Sequence, residues 1–162
     1  MDVVKKVTGK SPVGYMAPWW ELSVNTIDLL KERGIKYDSS LMEDDYHPYW
    51  LRSGDSWTKI DYTQNAKDWM KPWKPGKPVE LIELPASWLL DDAPATMFVK
   101  AFPNSHGWVT GQDLGQIWQD QFDWAYRHHD YATFLCTIHP DSAGKPHVLM
   151  MLERLIDHMS RH

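Results

Sequence analysis

The sequence contains one cysteine, Cys136, which excludes an intramolecular disulfide and the small disulfide-stapled scaffolds that depend on one. Its neighbours from Tyr131 to Ile138 are mostly apolar, the setting of a buried structural thiol rather than of a nucleophile. No apolar run approaches the roughly 18 residues that a bilayer-crossing helix needs, so no membrane partner is expected. The residues after Met1, Asp2-Val3-Val4-Lys5-Lys6, include no apolar stretch of the kind that marks a secretory signal. A soluble chain is expected and a cytoplasmic location is favoured, although any targeting segment would lie upstream of these residues. The net charge is -5 with a pI near 5.9, and Lys and Arg form no stripe. Nucleic acid is therefore excluded as an expected partner, since that binding rests on neutralising phosphates. The sequence also shows no nucleophile elbow, phosphate loop, metal-ligand spacing, internal repeat or low-complexity tract.

What the sequence has in excess is tryptophan, ten of 162 residues. Such a surplus either fills a core or lines a surface that stacks on flat or ring-shaped ligands, sugars among them. Apolar residues at 43% and charged residues at 24% are ordinary for a folded protein, and the length suits one domain rather than two. Asp2 to Val7 reads as the tail of a helix stopped by Gly9, so the sequence begins within an element. Pro12 to Met16 reads as a short strand ending at Ala17-Pro18. Ser23 is placed to cap a helix carrying Val24, Ile27 and Leu30 and closed by Gly34. Ile35 to Leu41 is extended, and residues 42 to 78 form a long irregular segment rich in Trp, Tyr, Pro and Asp. Val79 to Trp88 and Tyr131 to Ile138 read as strands. Thr110 to His129 and the stretch from Val148 to Met159 read as amphipathic helices. The pattern predicts an α/β fold with about four parallel strands alternating with helices, either a small open sheet or part of a barrel, which typically takes ~250 residues.

In parallel α/β architectures, ligand-directed residues follow the C-terminal ends of strands. That rule singles out His139, delivered by the run Tyr131 to Ile138 and followed by Pro140, as a candidate general acid or base. The pair Asp91 and Asp92 follows another strand and can orient a basic group, bind a metal or cap a helix. Asp44 and Asp45 form a second acidic pair. His128-His129-Asp130 lies at a helix end, where imidazoles meet the helix dipole favourably, and is read as structural.

The order of these segments is informative. Val13-Gly14-Tyr15-Met16-Ala17-Pro18-Trp19-Trp20 resembles the Gly-Tyr-Arg-Ala-Pro motif of the polysaccharide deacetylase family (NodB homology, carbohydrate esterase family 4), in the branch of peptidoglycan-deacetylase-like and cyclic-imide or allantoin hydrolases. Tyr37-Asp38-Ser39-Ser40-Leu41-Met42, Glu83-Leu84-Pro85 with Trp88 and Asp91-Asp92, Thr137-Ile138-His139-Pro140 and Leu152-Glu153-Arg154-Leu155-Ile156 continue the likeness in the same order. The resemblance implies one partial domain over residues 1–162, the C-terminal half of a distorted (β/α) barrel. It further implies hydrolysis of non-peptide carbon-nitrogen bonds, with an amino-sugar polymer or a small amide or imide as substrate.

The family's zinc-like divalent metal is held by one Asp and two His, and a second Asp acts as base. All four belong to motifs that precede the Gly-Tyr-Arg-Ala-Pro motif, so this chain alone is expected to bind no such metal tightly and to be inactive. Onto the remaining motifs, His139 matches the general acid, and Asp91 or Asp92 matches the acidic motif that helps set the electrostatics around the catalytic groups. Tyr15, Pro18, Trp19, Trp20 and Trp88 match the walls of the substrate groove. Met16 departs from the pattern by standing at the motif's arginine, where a thioether supplies neither charge nor donors. Two alternatives to a catalytic fragment remain: a carbohydrate-binding or interaction remnant without catalysis, and a truncated gene product with no separate function, a half-barrel whose uncovered edges would make it aggregate or need a partner, either the missing N-terminal half or a second copy of the chain.

Overall fold

The structure, a computed structural model, describes residues 2–98 and 107–162. The chain divides into two compact units, one formed by residues 1–41 and 48–84 and the other by residues 42–47 and 85–162.

The first unit holds a four-stranded sheet. After helix α1 (Asp2–Thr8) come β1 (Gly14–Tyr15), a 3-10 turn at Pro18–Trp20, helix α2 (Thr26–Glu32), β2 (Tyr37–Asp38), β3 (Tyr49–Ser53), the single turn α3 (Ala66–Trp69) and β4 (Lys77–Glu83). Across the sheet the order is β1-β2-β4-β3. Strands β1, β2 and β4 are parallel, pairing Gly14 with Tyr37 and Tyr37 with Ile82. Strand β3 runs antiparallel to β4 with a bulge between Trp50 and Arg52, so the expectation of four parallel strands is corrected at this position. The segment read as irregular supplies that strand. Only Leu51 is buried there, and one inward residue is too weak an alternation to read as a strand. Leu30, Ile35, Leu51 and Leu81 form the core, bordered by Tyr15 and Val79. Helix α2 begins later than the sequence suggests: the Ser23 hydroxyl meets that of Thr26 at 2.9 Å in a turn ahead of the helix, and Asn25 occupies the cap. Gly34 closes the helix in the left-handed region, at φ 71°, as its position after the last turn requires.

The second unit is mainly helical. A 3-10 turn at Trp88–Leu90 leads into α4 (Ala93–Thr96); α5 (Gly111–His128), α6 (Pro140–Ala143) and α7 (Pro146–Met159) follow. Thr110 caps α5, its hydroxyl accepting from the Asp113 N–H at 3.1 Å. Leu114 and Trp118 of α5 pack with Val148, Met151 and Leu155 of α7 and with Leu90, the apolar stripes expected of two amphipathic helices. The strand expected over Tyr131–Ile138 does not form. Among the described residues its one ladder contact is an isolated parallel bridge between Thr137 and Asp91. Phe134 and Cys136 pack against the helical core, so the apolar character of this run reflects half-burial rather than a sheet ladder. Burial pushes the Cys136 thiol up to about 11, in keeping with a structural role. Among the described residues no helix is long and apolar enough to cross a membrane.

Candidate active site

In the second unit, the short bridge between residues 91 and 137 does the positioning. Thr137 N–H donates to Leu90 O at 2.8 Å, and Asp92 N–H donates to Thr137 O at 3.1 Å. Two residues on, His139 therefore lies beside Asp92. The turn before Asp91 is itself pinned: the Trp118 indole N–H donates to Leu89 O at 3.0 Å, and the Leu89 N–H donates to the Ser87 hydroxyl at 3.2 Å. Pro140 at the first position of α6 makes His139 the residue at which extended backbone turns helical.

The pair formed there is close. His139 Nδ1 and Asp92 Oδ1 are 2.7 Å apart, and the His139 backbone N–H donates to the same carboxylate at 3.1 Å. The Ser142 hydroxyl donates to Asp92 Oδ2 at 2.8 Å. Asp92 is fully buried while the His139 side chain is 40% exposed, so Nδ1–H faces the carboxylate and Nε2 is the ring's outer nitrogen. The hydrogen bond to Asp92, followed by the charges of Asp91, Asp92 and Asp141, raises the pKa of His139 against a smaller opposing effect of burial. An imidazole held in this way keeps a transferable proton on Nε2 to higher pH than a free imidazole does. Asp91 is buried too, and burial raises its pKa. Its Oδ1 accepts from Ala93 N–H at 2.7 Å and lies 3.6 Å from His139 Nδ1, so of the two acidic candidates Asp92 is the direct partner.

In the first unit, the residues of the Tyr15 to Trp20 segment sit on a buried carboxyl network. Ala17 N–H donates to the Ser40 hydroxyl at 2.9 Å, and that hydroxyl donates to Asp38 Oδ1 at 2.9 Å. Glu83 Oε1 accepts from the backbone N–H groups of Ser40 at 2.7 Å and Leu41 at 2.8 Å. Asp38 Oδ2 and Glu83 Oε2 find no other partner among the described residues. Burial raises both groups, Glu83 up to about 8. The network therefore holds one proton on Glu83, shared with Asp38. Sequence reading singled out neither acid, although both stand at strand ends inside the quoted motifs.

The remaining candidates are distributed between the two units. Pro18 opens the turn that holds Trp19 and Trp20, and both tryptophans have positive φ, 57° and 55°, a strained conformation for a bulky residue. Trp19 is 71% exposed and Trp88 44%, whereas Trp20 is buried. Tyr15 borders the core and Met16 is exposed. Two groups of His and carboxylate side chains approach closely enough to hold an ion: Asp91, Asp92 and His139, and Asp123, His158 and His162. Ser142 and the second group escaped sequence reading. The signals available were a serine in the first turn after His139-Pro140 and the spacing of His158 and His162 by one helical turn.

No family model matches the sequence. The chain is similar to a peptidoglycan deacetylase of Helicobacter pylori, 54% identical over 162 residues that make up 100% of this chain and 55% of the relative. It is also similar to a peptidoglycan deacetylase-like protein of Gibberella zeae, 32% identical over 96% of this chain and 48% of the relative. Among solved structures, a polysaccharide deacetylase crystal structure from Mycobacterium smegmatis superposes with a TM-score of 0.73 at 30% identity, over 98% of this chain and 46% of that one. The chain spans about half the length of the curated relatives it matches.

Proposed function

We propose that the chain belongs to the polysaccharide deacetylase (NodB-homology) family, as its similarity to the relatives above supports, and that it supplies the acid half of a site hydrolysing non-peptide carbon-nitrogen bonds, with N-acetyl groups of amino sugars as the substrate class. The observation that carries this reading is the 2.7 Å contact between buried Asp92 and half-exposed His139. Amide hydrolysis needs a proton delivered to the departing nitrogen, because an amine anion is too poor a leaving group. His139 Nε2 is the donor. Asp92 fixes the tautomer, favours the imidazolium before transfer and orients the ring through Nδ1. Ser142 and the His139 backbone N–H hold the carboxylate in place. The exposed rings of Trp19 and Trp88 are suited to stacking on sugar faces, and amino-sugar polymers are the partners expected.

Family membership also implies a divalent metal. The Asp91, Asp92 and His139 cluster does not fit one. Asp92 is fully buried, and its oxygens accept from the His139 backbone N–H, the His139 ring and the Ser142 hydroxyl, so no open side of the carboxylate is left to an ion. On this reading water activation comes from residues outside the chain, and no step is assigned to a metal here.

The test uses the protein purified from its natural source, given chito-oligosaccharides and peptidoglycan fragments on one side and a cyclic imide on the other. Saturable acetate release from the amino sugars is expected. Ring opening of the imide without acetate release would overturn the substrate class, and hydrolysis of neither would overturn the reading as a hydrolase.

A further inference from the structure

At the end of α7, three metal-competent side chains that the proposed reaction does not use converge. His158 lies in the last turn of α7, His162 lies just beyond the end of that helix at Met159, and Asp123 faces them from α5. One ligand atom from each falls within 4.8 Å of the others. His158 Nε2 is 2.5 Å from Asp123 Oδ1, with both side chains about one-fifth exposed. An ion pair needs only these two groups, so the third donor is the informative one. His162 is held there by ring contacts: its centroid lies 5.1 Å from that of His158, 5.8 Å from Phe122 and 4.8 Å from Tyr126. Phe122 also meets the His158 ring edge-on at 5.9 Å. The two imidazoles are therefore arranged before any ligand arrives, which lowers the ordering cost of binding.

We propose that Asp123, His158 and His162 form a binding site for a divalent transition ion of the zinc, cobalt or nickel class. Two imidazoles and one carboxylate suit borderline-soft ions and leave positions for water, whereas calcium and magnesium demand mostly oxygen ligands. His158 is supplied by the last turn of α7 and His162 by the chain just beyond its end at Met159, and the ring contacts, not a shared helical face, bring the two imidazoles together. Binding takes His158 Nε2 unprotonated, the proton between it and Asp123 passing to solvent or to Nδ1 of the same ring, and their contact opens from 2.5 Å to about 3.3 Å, the edge of a tetrahedron with ~2.0 Å bonds. Arg127 lies 3.3 Å from Asp123 Oδ2 and is itself largely exposed, so it is free to turn toward solvent when the ion arrives. The ion clamps the end of α7 to α5.

Cobalt(II) titrated into chelator-treated protein at neutral pH, read by visible absorption and by equivalents bound, tests the site. His162→Ala and Asp123→Asn are expected to bind one equivalent fewer than the parent protein, or to bind it at least tenfold more weakly, while Asp92→Asn binds as the parent does. His162 is exposed, so its replacement leaves folding intact, which a circular dichroism melt checks. The melting temperature of the parent should rise with cobalt by more than that of His162→Ala. Equal binding by His162→Ala and the parent would overturn the proposal, as would loss of the equivalent in Asp92→Asn alone.

Discussion

Asp38 and Glu83 place two carboxyl groups out of reach of water, and the shared proton makes their burial tolerable. Two buried carboxylates side by side would repel each other in a poorly screened setting. The consequence is a pH dependence with a definite sign. Between the ordinary glutamate range and about 8, the folded chain keeps a proton on Glu83 that the unfolded chain releases. Stability therefore falls as pH rises through that window and levels off above it. Glu83→Gln keeps an acceptor for the Ser40 and Leu41 N–H groups and gives Asp38 a permanent N–H donor. Thermal melts of this variant should lose much of the decline from about pH 5 to about 8 and lie above the parent at the alkaline end. A parent melting temperature that is flat across the window, or a variant that keeps the parent's slope, would contradict the shared proton. Because Ser40 also fixes Ala17, the same network sets where the Pro18 to Trp20 turn begins.

Between α5 and α7, the close approach depends on small residues. A Cβ at Gly111 would sit 2.4 Å from the backbone oxygen of His147, and one at Gly115 would sit 2.7 Å from Cγ of Met151. Glycine to alanine in a helix ordinarily gains up to ~1 kcal/mol of propensity. At Gly111 the obstacle is backbone, which cannot step aside, so Gly111→Ala should destabilise the protein by about 1–3 kcal/mol in denaturant unfolding. Gly115→Ala meets a flexible methionine and should cost less; the reverse order would mean that the helices are not held at this distance.

Helices α5 and α7 were legible in the sequence because Leu114, Trp118, Met151 and Leu155 repeat at helical spacing over several turns. The strands were legible mainly where a turn residue bounded them, as Gly34 does before β2. Strand β3 was hidden by its Trp and Arg residues. The run Tyr131 to Ile138 misled for the opposite reason: apolar residues report burial, and burial against helices looks the same in sequence as burial in a sheet.

For the whole molecule, a chain matching about half the length of its relatives carries a functional reading as part of a larger site. His139 and Asp92 were legible through ordered motifs. Which of the two aspartates partners the histidine was not, because that depends on the bridge between residues 91 and 137. The inward position of Trp20 was equally invisible, since nothing local distinguishes it from Trp19. Asp123 escaped because its partners lie about 35 residues further along the chain.

The central claim is that His139 gives a proton to a departing amine. It is tested by comparing hydrolysis of an N-acetyl amino sugar with that of 4-nitrophenyl acetate by the natural-length protein and its His139→Ala variant. The nitrophenolate leaves without protonation, so the account predicts a loss of about 10²–10⁴-fold in amide hydrolysis with ester hydrolysis changed only a few-fold. An equal loss on both substrates, or an amide rate unchanged by the substitution, would contradict it.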